Sequence, residues 1–341
     1  MNRILRGEEL AEYMHNALTV EQCEDGYIRP RRFTDRQVAR YEADSNHGTH
    51  GNYGPITRAG SGVTLDFVTD SSFVGLNFTW LDVIGYSYAC FDFYVDGVLF
   101  DDCYMENPRY SLMAFQVPEG THHIQIYFPW NSDTKILEMH LSEGAQIFPA
   151  PEKSHRILTF GDSITQGYIG IHPSVSYANI MARKLNAELL NQAIGGYYFE
   201  KGSLDEALTA WKPDLITVAY GTNDFTHSAT EAEFRAACGG FVERLTELFP
   251  DTRILGIMPI YRNDERFGAR LLMREYTYED AMNIIRETYA KSENITVLED
   301  HFYPHSKDFF APDFLHPNDQ GFLFYGEAVV KAIRKMTGET E

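Results

Sequence analysis

Three things are scarce in this 341-residue chain, and each scarcity argues against a class of protein. The first is positive charge: 29 Lys and Arg stand against 49 Asp and Glu, for a formal net charge of −20. With no basic stripe to offset that sign, nucleic acid and anionic membrane are not expected as partners. The second is long apolar runs, since no stretch approaches the roughly 20 residues that a membrane-spanning helix needs. The opening MNRILRGEELAEYMHNALTVEQCEDG carries acids early and has no uninterrupted apolar core. That predicts no signal peptide and a cytoplasmic location. The third is cysteine: Cys23, Cys90, Cys103 and Cys238 are scattered without CxxC spacing, so neither a zinc site nor a redox pair is expected. Cys90 and Cys103 can face one another across a hairpin, but reduced thiols suit a cytosolic chain better.

What is present describes an ordinary globular protein, with 44% hydrophobic and 23% charged residues. The length exceeds one typical core, which predicts two domains. Twelve histidines invite metal readings, above all HGTH (His47, His50) and the pair His122–His123. The first pair sits in a Gly/Asn-rich loop without accompanying carboxylates. The second begins a strand-like run in which neighbours alternate faces, so the two cannot share an ion. No metal and no cofactor is expected.

The two halves differ in period. From about residue 60 to 145 the pattern is period two, as in SGVTLDFVTD, where Val63, Leu65 and Phe67 alternate with more polar neighbours. FDFYVDGVLFDD repeats this and places Asp96-Gly97 between two runs, a hairpin signal. EGTHHIQIYFPW adds Ile124, Ile126 and Phe128. Repeated strands with turn signals predict an antiparallel β-sandwich over residues 1–150. The first forty residues are less legible, with GEELAEYMHNA and RFTDRQVARYEA as candidate helices.

From HRILTF onward, strands alternate with helices. Candidate strands are Ile157–Phe160, Glu188–Asn191, Leu215–Tyr220, Ile254–Pro259 and Ile295–Leu298. Between them lie amphipathic segments such as SYANIMARKLN, with Tyr177, Ile180, Met181 and Leu185 on one face, and EAEFRAACGGFVERLTELF. This alternation predicts a parallel sheet covered by helices on both faces over residues 151–341. The join falls near GAQIFPAPEKSH, a short linker with Pro149, Pro151 and Lys153.

In such sheets ligands bind beyond the carboxyl ends of the strands. Four polar clusters fall there: GDSITQG with Ser163, NQAIGGYYF with Gly195 and Gly196, GTND with Asn223, and APDFLHPNDQG with Asp313 and His316. Taken singly, each has a bland reading as a cap, a turn or a helix start. Jointly they complement one another. A serine hydroxyl needs an imidazole to take its proton, and the imidazole needs a carboxylate to fix its tautomer. Asp313 and His316, three apart, can meet side chain to side chain. The N–H groups of Ser163 and Gly196 and the amide of Asn223 can meet a developing oxyanion.

FGDSITQG, NQAIGG, YGTND and DFLHP resemble the four sequence blocks of the SGNH (GDSL-type) hydrolase superfamily. Block by block, the resemblance implies Ser163 as nucleophile, Gly196 and Asn223 as oxyanion donors, and Asp313 with His316 as acid and base. Gly195 remains the alternative to Gly196. Ile164 replaces the leucine usual after the serine, and the serine lacks the following glycine of a GxSxG elbow. The resemblance covers Arg156 to the C-terminus and implies a flavodoxin-like, three-layer α/β/α fold with about five parallel strands. A sandwich ahead of such a domain is similar to the carbohydrate esterases of family two, which have an N-terminal jelly roll and remove acetyl groups from plant polysaccharides.

The resemblance therefore implies a serine esterase that deacetylates small or oligomeric carbohydrates, without a cofactor. The superfamily also implies alternatives, a lipase/acylhydrolase or thioesterase, with Asp264–Asp280 as a candidate insertion over the site. A sugar-binding protein that no longer turns over is the alternative from another class. The sandwich itself reads either as a sugar binder, with Trp80 and Trp130 as a platform, or as a module that shapes the cleft or forms a homo-oligomer. Tyr197, Tyr198, Phe199, Tyr261 and Arg262 are candidate substrate contacts or core.

Overall fold

A computed structural model of the chain describes residues 2–46, 51–106, 112–262 and 275–339. His47 and His50 lie outside the described residues, as does most of the candidate insertion Asp264–Asp280.

The N-terminal half is two antiparallel sheets packed face to face. One runs Leu112–Gln116, Phe73–Asp82, Ser132–Leu141, Ile28–Arg31, Thr19–Gln22, with Arg3–Leu5 also paired to Ser132–Leu141. The other runs Val98–Glu106, Tyr88–Val95, His122–Tyr127, Thr64–Thr69, Ile147–Pro149, with Met14–His15 on Thr64–Thr69. Period two dictates the core: Leu65, Phe67, Leu76, Phe78, Phe91, Phe93, Ile124 and Ile126 meet between the sheets, fully buried. Phe93 stacks on Phe115 across the gap at 4.4 Å. The hairpin at Asp96-Gly97 forms as expected, with φ of 50° and 79° at the two central residues. Both values are positive, as a type I′ turn requires, and the Asp-Gly pair tolerates them.

The least legible segment supplied more strand than helix. Arg3–Leu5, Met14–His15, Thr19–Gln22 and Ile28–Arg31 are too short and too polar to read as strands. They form because existing sheets offer them edges. The two expected helices also form, Gly7–Ala11 and Asp35–Ala43, the second opened by a Thr34/Gln37 capping box. Cys90 and Cys103 do not oppose one another: Cys90 pairs with Tyr104 and Cys103 with Phe91, so their side chains leave opposite faces of the ribbon. All four cysteines are free thiols.

The C-terminal half is a five-stranded parallel sheet built from His155–Gly161, Ala187–Asn191, Leu215–Ala219, Arg253–Ile257 and Ile295–Leu298. Numbered along the chain, their spatial order is 2-1-3-4-5, a doubly wound order. Alternate strand residues serve opposite helical layers. Ile157, Leu189, Leu215 and Leu255 pack with the helices Tyr177–Lys184 and Asp319–Thr337. Leu158, Leu190, Ile216 and Ile254 pack with Glu231–Leu248 and Tyr278–Tyr289.

The two halves share a core rather than merely touching. Phe33, Tyr41, Tyr53, Ile56, Ile84 and Trp130 from the N-terminal half belong to the same buried cluster as Leu158, Ile194, Tyr197 and Phe225. The strand Tyr88–Val95 explains the docking by its own alternation. Its odd residues fill the sandwich, while its even ones face the loop that follows the first parallel strand. Tyr88 Oη donates to Gly170 O at 3.3 Å and Tyr94 Oη meets Ser174 Oγ at 3.1 Å. Between them Asp92 accepts from Ser174 N–H at 2.8 Å and pairs with His172 Nδ1 at 2.7 Å.

Candidate active site

The first parallel strand ends at Gly161, and the chain turns at once into a short helix, Ser163–Gln166. A Cβ at Gly161 would fall 2.0 Å from Thr165 Oγ1, so only glycine allows a turn this tight. The cap of the helix is Asp162, whose carboxylate accepts from Ile164 N–H at 3.0 Å. That leaves Ser163 at the first helical position, with its hydroxyl free for another partner and its N–H among those a helix start leaves unsatisfied.

The partner is His316. Its Nε2 lies 2.7 Å from Ser163 Oγ, and its Nδ1 lies 2.6 Å from Asp313 Oδ2. Residues separated by 153 positions are thus in line with a pair separated by three. The Asp313 turn is local: Oδ1 accepts from the N–H of Leu315 and of His316, both at 3.1 Å, and Phe314 between them has φ 52°. Burial works against the Asp313 carboxylate, but the His316 and backbone bonds prevail and hold it at about 2. The next helix starts at Asp319 with Asn318 as its cap, so Pro317 precedes the cap instead of opening the helix. Ser163 and His316 are each 8% exposed, reachable yet largely shielded from water.

Gly195 and Gly196 occupy the tight turn after the second strand, closed by Tyr197 N–H to Ile194 O at 3.0 Å. Their roles differ. Gly195 N–H is spent on Gln166 Oε1 at 2.7 Å, and a Cβ there would strike the Tyr168 ring. Gly196 has φ +80°, and its carbonyl accepts from Tyr53 Oη at 3.1 Å. No hydrogen bond within the described residues uses Gly196 N–H. Of the two, Gly196 alone has a donor to offer.

Asn223 follows the third strand. Its Nδ2 donates to Tyr197 O at 3.0 Å and points a longer contact, 3.5 Å, at Asp162 Oδ2. The second, third and first strand ends are therefore tied to one another through this one amide.

Several residues of the site escaped the sequence reading. Asp162 is 3% exposed, and burial pushes its carboxyl up to about 6. Asp224, also buried, accepts from Phe199 N–H at 2.7 Å and Gly221 N–H at 2.9 Å, and burial pushes it up to about 7. Both sit inside the quoted motifs, where adjacency to Ser163 and Asn223 was the available signal. Tyr168 stacks on His316 with ring centres 5.4 Å apart. Tyr168 is itself backed by Trp130 at 4.9 Å and Tyr86 at 6.1 Å, both from the N-terminal half. Periodicity gives no hint of that aromatic wall.

Some candidate contacts prove to be core. Tyr197 and Phe199 are 0% and 1% exposed. Trp130 is buried with its Nε1 donating to Gly170 O at 2.8 Å, and Trp80 packs on the sandwich core, so the two form no platform. Tyr198 and Tyr261 are partly exposed, the latter stacked on His305 at 4.6 Å. His122 and His123 face different carboxylates, Asp96 and Asp66. Cys90, Asp92 and His172 are the one group among the described residues whose ligand atoms all lie within 4.8 Å. Here hydrogen bonds already join them, and no sequence spacing announces them.

The model of the GDSL-like lipase/acylhydrolase family matches residues 159–322, which span all four strand-end clusters except the start of the first strand. No curated protein matches the sequence. Among solved structures the chain is similar to a salicylyl-acyltransferase from a tetracycline biosynthetic pathway, at 18% identity over 98% of both chains, with a TM-score of 0.80. It is also similar to a GDSL-like lipase of Bacteroides ovatus, at 19% identity over 100% of this chain and 99% of the other, TM-score 0.76. A family two carbohydrate esterase from Cellvibrio japonicus matches at 16% identity over 99% and 98%, TM-score 0.67. At these identities the likeness establishes the two-part fold, while the matched segment supplies the chemistry. Residues 159–322 match the GDSL-like lipase/acylhydrolase family, and the match supports an ester-hydrolysing enzyme.

Proposed function

We propose that the protein removes O-acetyl groups from carbohydrates through an acyl-enzyme on Ser163. The observation that carries the mechanism is the unbroken line Asp313–His316–Ser163, with bonds of 2.6 and 2.7 Å. Ser163 Oγ attacks the ester carbonyl as His316 Nε2 takes its proton, and Asp313 holds Nδ1–H and steadies the imidazolium. The N–H groups of Ser163 and Gly196 and the Asn223 amide receive the negative charge on the carbonyl oxygen. His316 then returns the proton to the leaving sugar oxygen. Water, deprotonated by His316, releases acetate and frees the serine.

In this reading residues 151–341 are the catalytic domain and residues 1–150 a jelly-roll accessory domain that walls one side of the cleft. The wall of Tyr168, Tyr86 and Trp130 beside His316 favours a flat apolar face such as that of a pyranose. The overall likeness to a family two carbohydrate esterase points the same way. The test is acetate release from acetylated xylo- and manno-oligosaccharides, with Ser163→Ala as the blank. Loss on the order of 10⁴-fold is expected in the variant. Near wild-type hydrolysis of 4-nitrophenyl acetate by Ser163→Ala would sink the serine mechanism.

The same relay admits a second reading, transfer of the acyl group to an acceptor other than water. It is favoured by the full-length likeness to a salicylyl-acyltransferase and by the low exposure of Ser163 and His316. Product analysis with added alcohol or amine acceptors decides between the two: acyl product forming in preference to free acid selects transfer.

A further inference from the structure

Among the described residues, Arg32 is a buried cation with no carboxylate partner. It is 1% exposed, and burial lowers its pKa to about 9. Within the described residues its hydrogen bonds all go to backbone oxygens. Nε donates to Ala59 O at 2.8 Å, and one terminal nitrogen donates to Asn191 O at 2.6 Å and Ala193 O at 3.2 Å. The other reaches Ile56 O at 3.4 Å. A charged group taken out of water at this cost fixes something that must not move.

What it fixes is the loop from Asn191 to Tyr197, which presents Gly196. Two of its four acceptors, Asn191 O and Ala193 O, are the carbonyls leading into that turn. Other bonds from the same segment of chain reinforce the hold. Gln37 Nε2 donates to Gln192 Oε1 at 2.8 Å, Gln192 Nε2 donates back to Arg32 O, and Tyr53 Oη reaches Gly196 O at 3.1 Å. All three side chains, Arg32, Gln37 and Tyr53, come from the N-terminal half. The catalytic half contributes Gly195 N–H to Gln166 Oε1 and Ala193 N–H to Asn191 Oδ1. The turn is thus held on both sides of the Gly195–Gly196 peptide, by Gly195 N–H before it and Gly196 O after it, while among the described residues Gly196 N–H has no partner.

We infer that Arg32 is a positioning residue for ester hydrolysis: by clamping Asn191 O and Ala193 O it aims the Gly196 N–H at the carbonyl oxygen of the substrate. The N-terminal half then completes the oxyanion hole in addition to walling the cleft. The inference rests on the reading of Ser163 as nucleophile and Gly196 as donor. Arg32 touches no reacting atom, so its loss acts on kcat through the direction of one N–H.

The test compares Arg32→Met, Arg32→Lys and Gln37→Leu with Arg29→Met in the full chain. Arg29 lies three residues away and pairs with Asp133 at 3.0 and 3.1 Å, and among the described residues it makes no hydrogen bond to the loop. Each variant is assayed on 4-nitrophenyl acetate and on its thionoester, whose C=S accepts hydrogen bonds poorly. A variant with a misaimed donor loses rate on the oxygen ester and little on the sulfur ester. For Arg32→Met we expect kcat on the ester to fall about tenfold to hundredfold, less than outright removal of a donor, with KM within about twofold. The ester-to-thionoester ratio falls in step. Arg32→Lys, which reaches fewer of the four oxygens, and Gln37→Leu fall in between, and they carry the test if Arg32→Met does not fold. Arg29→Met keeps the wild-type ratio. Equal losses on both substrates, or an unchanged kcat in folded Arg32→Met, would overturn the role of Arg32. If Ser163→Ala keeps its activity, it is the underlying reading that fails.

Discussion

Replacing Asp313 with asparagine changes no volume, and the structure predicts that it is worse than removing the side chain. Asp313 uses both oxygens: Oδ1 accepts from two backbone N–H groups at 3.1 Å, and Oδ2 faces His316 Nδ1 at 2.6 Å. Asparagine has one acceptor oxygen. If it serves the two N–H groups, the amide NH₂ faces Nδ1 and drives the ring proton to Nε2, against Ser163 Oγ. That tautomer cannot take the serine proton. Turning the amide over restores the productive tautomer but leaves two backbone donors facing an NH₂, at about 1–3 kcal/mol each. Asp313 is about one-third exposed (36%), so water relieves part of this and a total of about 2–4 kcal/mol applies. At 1.36 kcal/mol per tenfold, the productive form falls to roughly 1 in 30 to 1 in 10³. Loss of the charged hydrogen bond to the imidazolium adds about tenfold to a hundredfold. Asp313→Asn should therefore lower kcat by about 3 × 10² to 10⁵-fold. Asp313→Ala, which loses the charge but imposes no tautomer, should lose at least about tenfold less. Since Asp313 is held at about 2, the wild-type reference keeps it ionised from pH 4 upward. The measurement is kcat on 4-nitrophenyl acetate for the two variants, with melting curves to confirm folding. An asparagine variant more active than the alanine variant would refute the argument.

Three further outcomes follow from the same contacts. Gly195→Ala places a Cβ 2.3 Å from Tyr168 Oη and should displace the ring stacked on His316. Adding Gly195→Ala to Tyr168→Ala should then cost nothing further in kcat, whereas a full additive loss would rule out the clash. Gly196→Ala meets nothing closer than Tyr53 Cε1 at 3.5 Å but forces φ +80° on an L-residue, costing about 1–2 kcal/mol. Its kcat should fall roughly a hundredfold as the loop relaxes and the donor is lost, and no partner deletion should rescue it. At the seam, the hydrogen bond to Asp92 raises the pKa of His172 above 6.5. Its contribution is fully present below pH 6.5 and lost as pH rises through the raised value, so His172→Gln should lower Tm by about 1–3 °C at pH 5.5 and by less at pH 8.5. A Tm difference that grows with pH would reverse that sign.

Local chemistry made much of this legible. The strand expected at Leu215–Tyr220 is Leu215–Ala219, and that expected at Ile254–Pro259 is Arg253–Ile257, because short aliphatic runs between amphipathic helices have few other uses. Asp96-Gly97 marked its hairpin for the same reason, since few residue pairs accept two positive φ values. The strands of the first thirty-one residues were not legible. Their stability comes from the edges they join, and an edge partner such as Ser132–Leu141 lies more than a hundred residues away. The paired glycines were ambiguous because a sequence does not say whose N–H is already taken. Gln166, twenty-nine residues upstream of Gly195, settles which one remains available.

The sequence by itself determined the two periods, the doubly wound sheet and the cluster of serine, histidine, aspartate, glycine and asparagine at its strand ends. These depend on residue type and short spacing, which are local quantities. Only the tertiary structure decided how the two halves combine. Arg32, Gln37 and Tyr53 reach the loop that presents Gly196, and Tyr86 and Trp130 back the ring on His316. Those contacts span gaps of about 40 to 160 residues. No periodicity encodes such a distance, so only folding brings an N-terminal cation onto the carbonyls of the loop that presents Gly196.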